Sequence, residues 1–183
     1  MVKMHKTRKG FTLIEILIVI AILGIIMALF IPQIMSAVQK SKQKGTMREM
    51  NSMAQAILDH VADHGFPPEQ DGALSAGSNF CSSLSPFYLK IVPLTDEWGT
   101  PFHVYCGRDS IAGFGVDGIT ASASEDFLIV SFGRDRQRTP FSFNPLAPSS
   151  AYFGLTSLRS YDQDLAIWSG TWIHLPKTAQ IGS

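Results

Sequence analysis

From Phe11 to Ile31 the sequence carries only two clearly polar side chains, Thr12 and Glu15. An apolar run of roughly 20 residues is long enough to cross the hydrocarbon core of a bilayer as one helix. Lys3, Lys6, Arg8 and Lys9 stand just before it. By the positive-inside rule those charges stay in the cytoplasm, and the chain beyond the run faces out. Glu15 is the anomaly. A carboxylate within such a run costs about 3 kcal/mol or more in lipid, so it marks a function. A cation at the same depth would offset that cost. Cutting the chain after Gly10 creates one, the new α-amino group of Phe11. Within one chain this amine and Glu15 lie about a helical turn apart. In a bundle of such helices the amine of one copy meets Glu15 of its neighbour, and the pair then fixes the axial register of assembly.

Lys9-Gly10-Phe11-Thr12-Leu13-Ile14-Glu15 resembles the type IV prepilin signal, in which a short basic leader ends in Gly and is followed by Phe and Thr-Leu-Ile-Glu. The resemblance implies cleavage between Gly10 and Phe11 by a membrane aspartyl prepilin peptidase, N-methylation of Phe11, and assembly into a helical filament through the N-terminal helix. Pro32 falls where pilin-like chains carry a helix-kinking proline. An ordinary secretory signal would instead place small residues at a cleavage site after the apolar run. Ala28 is small there, but Phe30 is not.

The 183 residues leave room for one long helix and one small domain. Formal net charge is zero, yet four of the 15 Lys and Arg precede Phe11 and no Asp or Glu does, so the chain beyond Gly10 is net acidic. No basic stripe interleaved with aromatics follows, which argues against nucleic-acid binding. Cys81 and Cys106 are the only cysteines. Outside the cytoplasm they can form one disulfide, or they are two small buried hydrophobes.

The helix is expected to continue to His64, with Gly65 as its cap and Pro67-Pro68 barring continuation. Pro32 removes one of its hydrogen bonds. Beyond the lysines of Gln39–Lys44, residues Met47, Met50, Met53, Ala54, Ile57, Leu58 and Val61 recur at helical spacing and need a cover. His60 and His64 sit four apart beside Asp59 and Asp63, a zinc-like spacing that also suits a solvated helix end. Residues 66–95 read as irregular, with Phe87–Val92 a short helix or strand. Phe102–Cys106 alternates as a strand, Ile111–Val116 reads as a glycine-weakened second strand, and Asp126–Phe132 is the strongest strand of the chain. The fold class expected is α+β: a long N-terminal helix, half transmembrane and half amphipathic, packed on a small antiparallel sheet. The domain boundaries are a leader over 1–10, a transmembrane and assembly half over 11–31, an amphipathic half over 32–64, and a globular domain over 65–183.

His64-Gly65-Phe66-Pro67, Asp96-Glu97-Trp98-Gly99-Thr100-Pro101-Phe102, Val130-Ser131-Phe132-Gly133-Arg134-Asp135 and Asp164-Leu165-Ala166-Ile167-Trp168 follow in an order similar to the major pseudopilin of type II secretion. Glu97 stands where that family has proline, and Leu165 where it has isoleucine. The resemblance implies calcium in the loop after the Ser-x-Gly-x-Asp segment, with Asp135 and Asp164 as candidate ligands and Asp162 close by. Calcium suits such a loop because it wants several hard oxygens. Here Arg134, Arg136 and Arg138 crowd the first carboxylate, and residues 139–160 form a long Phe-, Pro- and Ser-rich insertion.

No nucleophile elbow, Cys-x-x-Cys pair or phosphate-binding loop is present, so no enzymatic constellation stands out. The expected role is a structural subunit of a type II secretion pseudopilus. The partners implied by resemblance are further copies of the chain, the prepilin peptidase, an inner-membrane platform with its ATPase, and minor pseudopilins. The expected location is the bacterial inner membrane, with the N-terminus cytoplasmic and the C-terminal domain periplasmic. The alternative within the superfamily is a type IV pilin, major or minor, of a surface pilus.

Overall fold

The computed structural model describes residues 10–119 and 122–177. The leader residues 1–9, with Lys3, Lys6, Arg8 and Lys9, lie outside the described residues. The chain divides into two compact units, residues 1–38 and 39–183.

Helix α1 runs Leu13–His64 and is continuous through Pro32. It is the one helix among the described residues long and apolar enough to cross a membrane. In the first unit its apolar side chains are uncovered; Leu13, Ile25 and Leu29 are all more than half exposed. In the second unit α1 gains a buried face made of Met50, Met53, Ala54 and Ile57, with Met47 and Val61 partly covered. Burial starts earlier than the methionine stripe, at Gln43, Gly45 and Thr46. The cause is the turn at residues 96–99, which lies on this part of the helix: Glu97 N donates to Thr46 Oγ1 at 3.2 Å, and Lys42 Nζ donates to Glu97 O at 2.9 Å. Leu58 is the expected stripe residue left at the rim, 37% exposed. The helix stops at His64, and the Gly65 amide donates to Val61 O at 2.8 Å. Gly65 has φ +82°, a left-handed cap that glycine adopts without a Cβ penalty.

The sheet is an antiparallel meander of five strands in chain order: β1 Asp71–Ala73, β2 His103–Cys106, β3 Phe127–Ser131, β4 Leu165–Trp168 and β5 Thr171–His174. Strand β3 is central and buried at all five residues. Its side chains alternate between two cores, as the two-residue period of a strand requires. Phe127 and Ile129 join Val104, Leu165, Ile167 and the α1 face. Leu128 and Val130 join Ile111, Phe114, Ala166, Ile173 and Phe143 on the other side. The sheet is therefore covered on both faces.

Three sequence expectations change here. Residues 66–95 are not irregular throughout, since they hold β1 and the short helix Asn79–Leu84. Residues Ile111–Val116 do not form a strand; Arg108–Phe114 is helix α3. Ile111 and Phe114, three apart, enter the same core, which is a helical rather than an alternating pattern. Phe87–Val92 is neither helix nor strand; it follows the short helix α2, Asn79–Leu84, as a turn and an irregular segment. The insertion over 139–160 is part of the domain. Phe143 is 8% exposed in the second core, and its amide donates to Asp117 O at 2.7 Å. Phe141 stacks on His174 with ring centres 4.5 Å apart, and Phe153 packs on the first core.

Candidate functional site

The sequence points to two sites, the start of α1 and the acidic loop beside β4. At the first, Thr12 precedes the helix and Glu15 is its third residue. Thr12 Oγ1 accepts from Glu15 N at 3.3 Å, and Glu15 Oε2 accepts from Thr12 N at 2.8 Å. The Thr12 hydroxyl also donates to Glu15 Oε2 at 2.9 Å. This is a reciprocal capping box. It satisfies two amides that the first turn of a helix otherwise leaves without partners. Thr12 thus caps the helix, a role that its Thr-x-x-Glu spacing signals and that the sequence expectations above did not assign. Gly10 and Phe11 are exposed and outside the helix. In the uncut chain Phe11 has no free amine, and Glu15 is held by its own Thr12. Pro32 lies exposed within α1, one residue past the apolar run.

The second site is organised by Asp96, which is 4% exposed. Its Oδ1 accepts from Trp98 N at 3.0 Å and Thr100 N at 2.9 Å, and its Oδ2 accepts from Ser131 Oγ at 2.7 Å. One carboxylate thus ties the Trp-Gly-Thr-Pro turn to the end of β3. Trp98 Nε1 in turn donates to Gln39 Oε1 on α1 at 2.8 Å. Past Ser131 the chain turns at Gly133, φ +67°. A Cβ here would lie 2.7 Å from Gln163 O and 2.9 Å from Tyr161 O, so only glycine lets the two loop segments approach this closely.

The three candidate calcium ligands stand in different surroundings. Asp164 is fully buried. Its Oδ2 accepts from Thr139 N at 3.1 Å, while its Oδ1 has no hydrogen-bond partner among the described residues. Burial, with a contribution from Asp135, pushes its carboxyl up to about 7. Asp135 is exposed, and its Oδ1 accepts from Gln137 N at 3.0 Å. Asp162 is paired with Arg134, 2.7 Å from Nε and 3.2 Å from Nη2. The other two arginines are spent on carbonyls. Arg136 donates to Trp98 O at 2.7 Å, and Arg138 donates to Phe114 O and Gly115 O with its guanidinium over the Phe114 ring. A buried carboxylate oxygen without a donor fits a cation. Of the three carboxylates only Asp164 is buried with an oxygen free of donors; Asp135 is exposed and Asp162 is held by Arg134.

The remaining candidates are placed as follows. His60 and His64 stack on each other with ring centres 4.2 Å apart, and His60 Nδ1 lies 3.0 Å from Phe66 O. They close the end of α1 over Phe66 and Tyr88. Among the described residues no three His, Cys, Asp or Glu side chains converge to hold a metal. Cys81 and Cys106 are both free thiols. Cys81 Sγ points at Ser75 O and Ser78 Oγ on α2, while the Cys106 thiol is pushed up to about 12 by burial at the end of β2. A thiol held so far above neutral pH is a poor nucleophile, and half-buried Cys106 packs against the first core as a small hydrophobe.

The prokaryotic N-terminal methylation motif matches residues 5–31. The chain is similar to the type II secretion system core protein G of Pseudomonas aeruginosa, 30% identical over 133 residues, covering 67% of this chain and 93% of the relative. It is also similar to the core protein G of Aeromonas hydrophila, 29% identical over 63% of this chain and 88% of the relative. Similarity to the type IV major fimbrial protein FimA of Dichelobacter nodosus is 43% over 60 residues, covering 33% of this chain and 38% of the relative. No solved structure matches. The described sheet, the uncovered apolar helix and a likeness over two thirds of the chain agree, and the chain belongs to the family of the type II secretion system core protein G, the major pseudopilin.

Proposed function

We propose that this chain is a structural subunit of a type II secretion pseudopilus, without enzymatic activity of its own. The single observation that carries this reading is the stretch of α1 from Leu13 to Val38, whose large apolar side chains are uncovered. Such a surface needs lipid or like helices, and a subunit that passes from membrane to filament exchanges one for the other. Processing between Gly10 and Phe11 frees an amine for Glu15 of a neighbouring copy. Glu15 then leaves the Thr12 capping box for an intersubunit pair that sets register. The partners on this reading are other copies, the prepilin peptidase, the assembly platform with its ATPase, and minor pseudopilins. The globular domain lies in the periplasm, and the filament aids export of proteins across the outer membrane. The likeness to type IV pilins covers 33% of this chain for FimA and 49% for the major pilin PilE, against 67% for core protein G, which favours the secretion reading over a surface pilus.

The test is the intact mass and N-terminal sequence of the membrane-extracted protein, with and without prepilin peptidase. The expected mature chain begins at methylated Phe11 only when the peptidase is present. Retention of Met1 under both conditions sinks the reading. Glu15→Val is expected to insert in the membrane normally and to be absent from sheared filaments.

Calcium belongs to the same proposal. Asp164 through Oδ1, with Asp135, would hold it. The cation would supply the charge that the buried Asp164 carboxylate lacks and tie the 133–135 turn to the start of β4. Millimolar calcium is expected to raise the melting temperature of the protein over a chelated sample. No shift removes calcium from the proposal and leaves the filament role untouched.

A further inference from the structure

The exposed side of α1 beyond residue 39 carries its charges sorted by sign. Lys40, Lys44 and Arg48 stand four apart, and the uncharged span 50–58 separates them from Asp59 and Asp63. All five are exposed. Their helical spacing keeps them on one face, turned away from the buried stripe of Met50, Met53 and Ile57. Neither block is neutralised within its own chain. The one ion pair among the described residues is Arg134–Asp162, elsewhere in the domain. The two carboxylates take neutral donors: Asp59 Oδ1 accepts from Gln55 Nε2 at 3.0 Å, and Asp63 Oδ2 accepts from the Tyr88 hydroxyl at 2.9 Å. Arg48 Nε donates to Lys44 O at 3.4 Å, and its charge acts on neighbouring Glu49 without a direct contact. The order also runs against the helix's own field. The C-terminal end of α1 carries partial negative charge, which disfavours Asp63 in its last turn.

We infer that this face is an interface between copies of the chain, in which Lys44 and Arg48 of one copy meet Asp59 and Asp63 of the next, displaced along the axis. The inference rests on the filament reading above, because copies that enter one membrane by the same N-terminal helix stand parallel. In register, parallel copies set like charges side by side, which repels. A shift of about 22 Å brings both opposite pairs together at once, since the same helical rise separates Lys44 from Asp59 and Arg48 from Asp63. A shift one turn longer would carry Arg48 past the end of the helix at His64. Such a contact joins two different surfaces, so it does not close on two copies; it repeats, and with rotation it makes a helical filament. Exposed pairs are individually weak, so they select the stagger, while cohesion comes from the apolar stretch of α1.

The experiment uses the full chain, expressed with prepilin peptidase and the assembly machinery. It compares mature chain in sheared filaments with the membrane pool. K44E/R48E is expected to lower filament yield about tenfold, because two attractive pairs become repulsive, and D59K/D63K is expected to do the same. Cleavage after Gly10 and the melting temperature should stay as in the parent, since all four positions are exposed. The variant combining both reversals is expected to recover about half of the parental yield or more, because complementarity returns with the signs exchanged. A combined variant as poor as K44E/R48E overturns the inference; the cations are then needed for anionic lipid headgroups and not for Asp59 and Asp63. Parental yield from either double variant also overturns it and leaves the filament reading standing. A parent that yields no filaments removes both. Should a reversal unfold the domain, cysteine pairing decides. On a C81S/C106S background, K44C/D59C is expected to give a ladder of disulfide-linked copies on oxidation, because within one chain the two positions lie about 22 Å apart, beyond disulfide reach. Dimers from Lys44→Cys alone in place of that ladder put the copies in register and overturn the inference.

Discussion

Asp96 and Asp164 are both buried acids, and their surroundings give them opposite roles. Asp96 accepts three hydrogen bonds, two from the turn at residues 96–100 and one from the end of β3, so both its oxygens have donors. Asp96→Ala leaves two buried amides and the Ser131 hydroxyl without an acceptor, and is expected to cost about 3 kcal/mol in urea unfolding. Asp164 has one donor and one orphaned oxygen. Its folded pKa of about 7 stands above the ordinary carboxylate value, so the native state holds a proton that the unfolded chain has lost. In chelator its stabilising contribution is fully present below pH 4 and fades as pH rises toward 7. His174, held neutral by burial, slopes the other way at acid pH, because it must charge on unfolding. The comparison with Asp164→Asn isolates the acid: the parent is expected to lose stability relative to the variant between about pH 4 and 7, by on the order of a few kcal/mol. A constant difference across that range would mean that Asp164 is ionised throughout.

Among the elements, the insertion over 139–160 decides the architecture of the domain. A four- or five-stranded meander with one helix leaves its second face in water. Here Phe141 and Phe143, with α3, seal that face, which is why β3 carries Phe-Leu-Ile-Val with no polar alternation. Phe143→Ala is expected to destabilise the domain by about 3 kcal/mol, measured by thermal unfolding. A change below about 0.5 kcal/mol would make the insertion a surface loop. Helix α1 shows the converse. It is sealed from Gln43 to His60 along one face, and its apolar N-terminal part has no cover at all.

For the molecule as a whole, the two units place different demands on their surroundings. Residues 39–183 bury their own core on both faces of a sheet, whereas residues 1–38 expose a helix that water cannot solvate cheaply. Assembly through the helix and display of a folded domain follow from that division. Glu15→Val separates the two: membrane insertion depends on hydropathy, which the change raises, whereas filament register depends on the carboxylate. Filaments of normal yield from that variant would assign the carboxylate to helix capping with Thr12 alone.

The sequence by itself determined whatever depends on local pattern. The apolar run, Glu15, the stop at Gly65, the methionine stripe and strands β2 and β3 all rest on periodicity or on a residue's intrinsic backbone preference. Tertiary structure decided the rest, because those features depend on partners far away in the chain. Ile111–Val116 reads as a strand in sequence, and Ile111–Phe114 became part of α3 because Ile111 and Phe114, three apart, share one core. Phe87–Val92 formed neither element. The use of the 139–160 insertion as a cover could not be seen before the bare face of the sheet was known. Of the acidic loop, the sequence showed three arginines around Asp135, with Asp162 and Asp164 beyond the 139–160 insertion. Only the fold paired Arg134 with Asp162, sent Arg136 and Arg138 to carbonyls, and left one oxygen of Asp164 buried without a donor, since pairing among neighbouring charges is settled by geometry and not by their order in the chain.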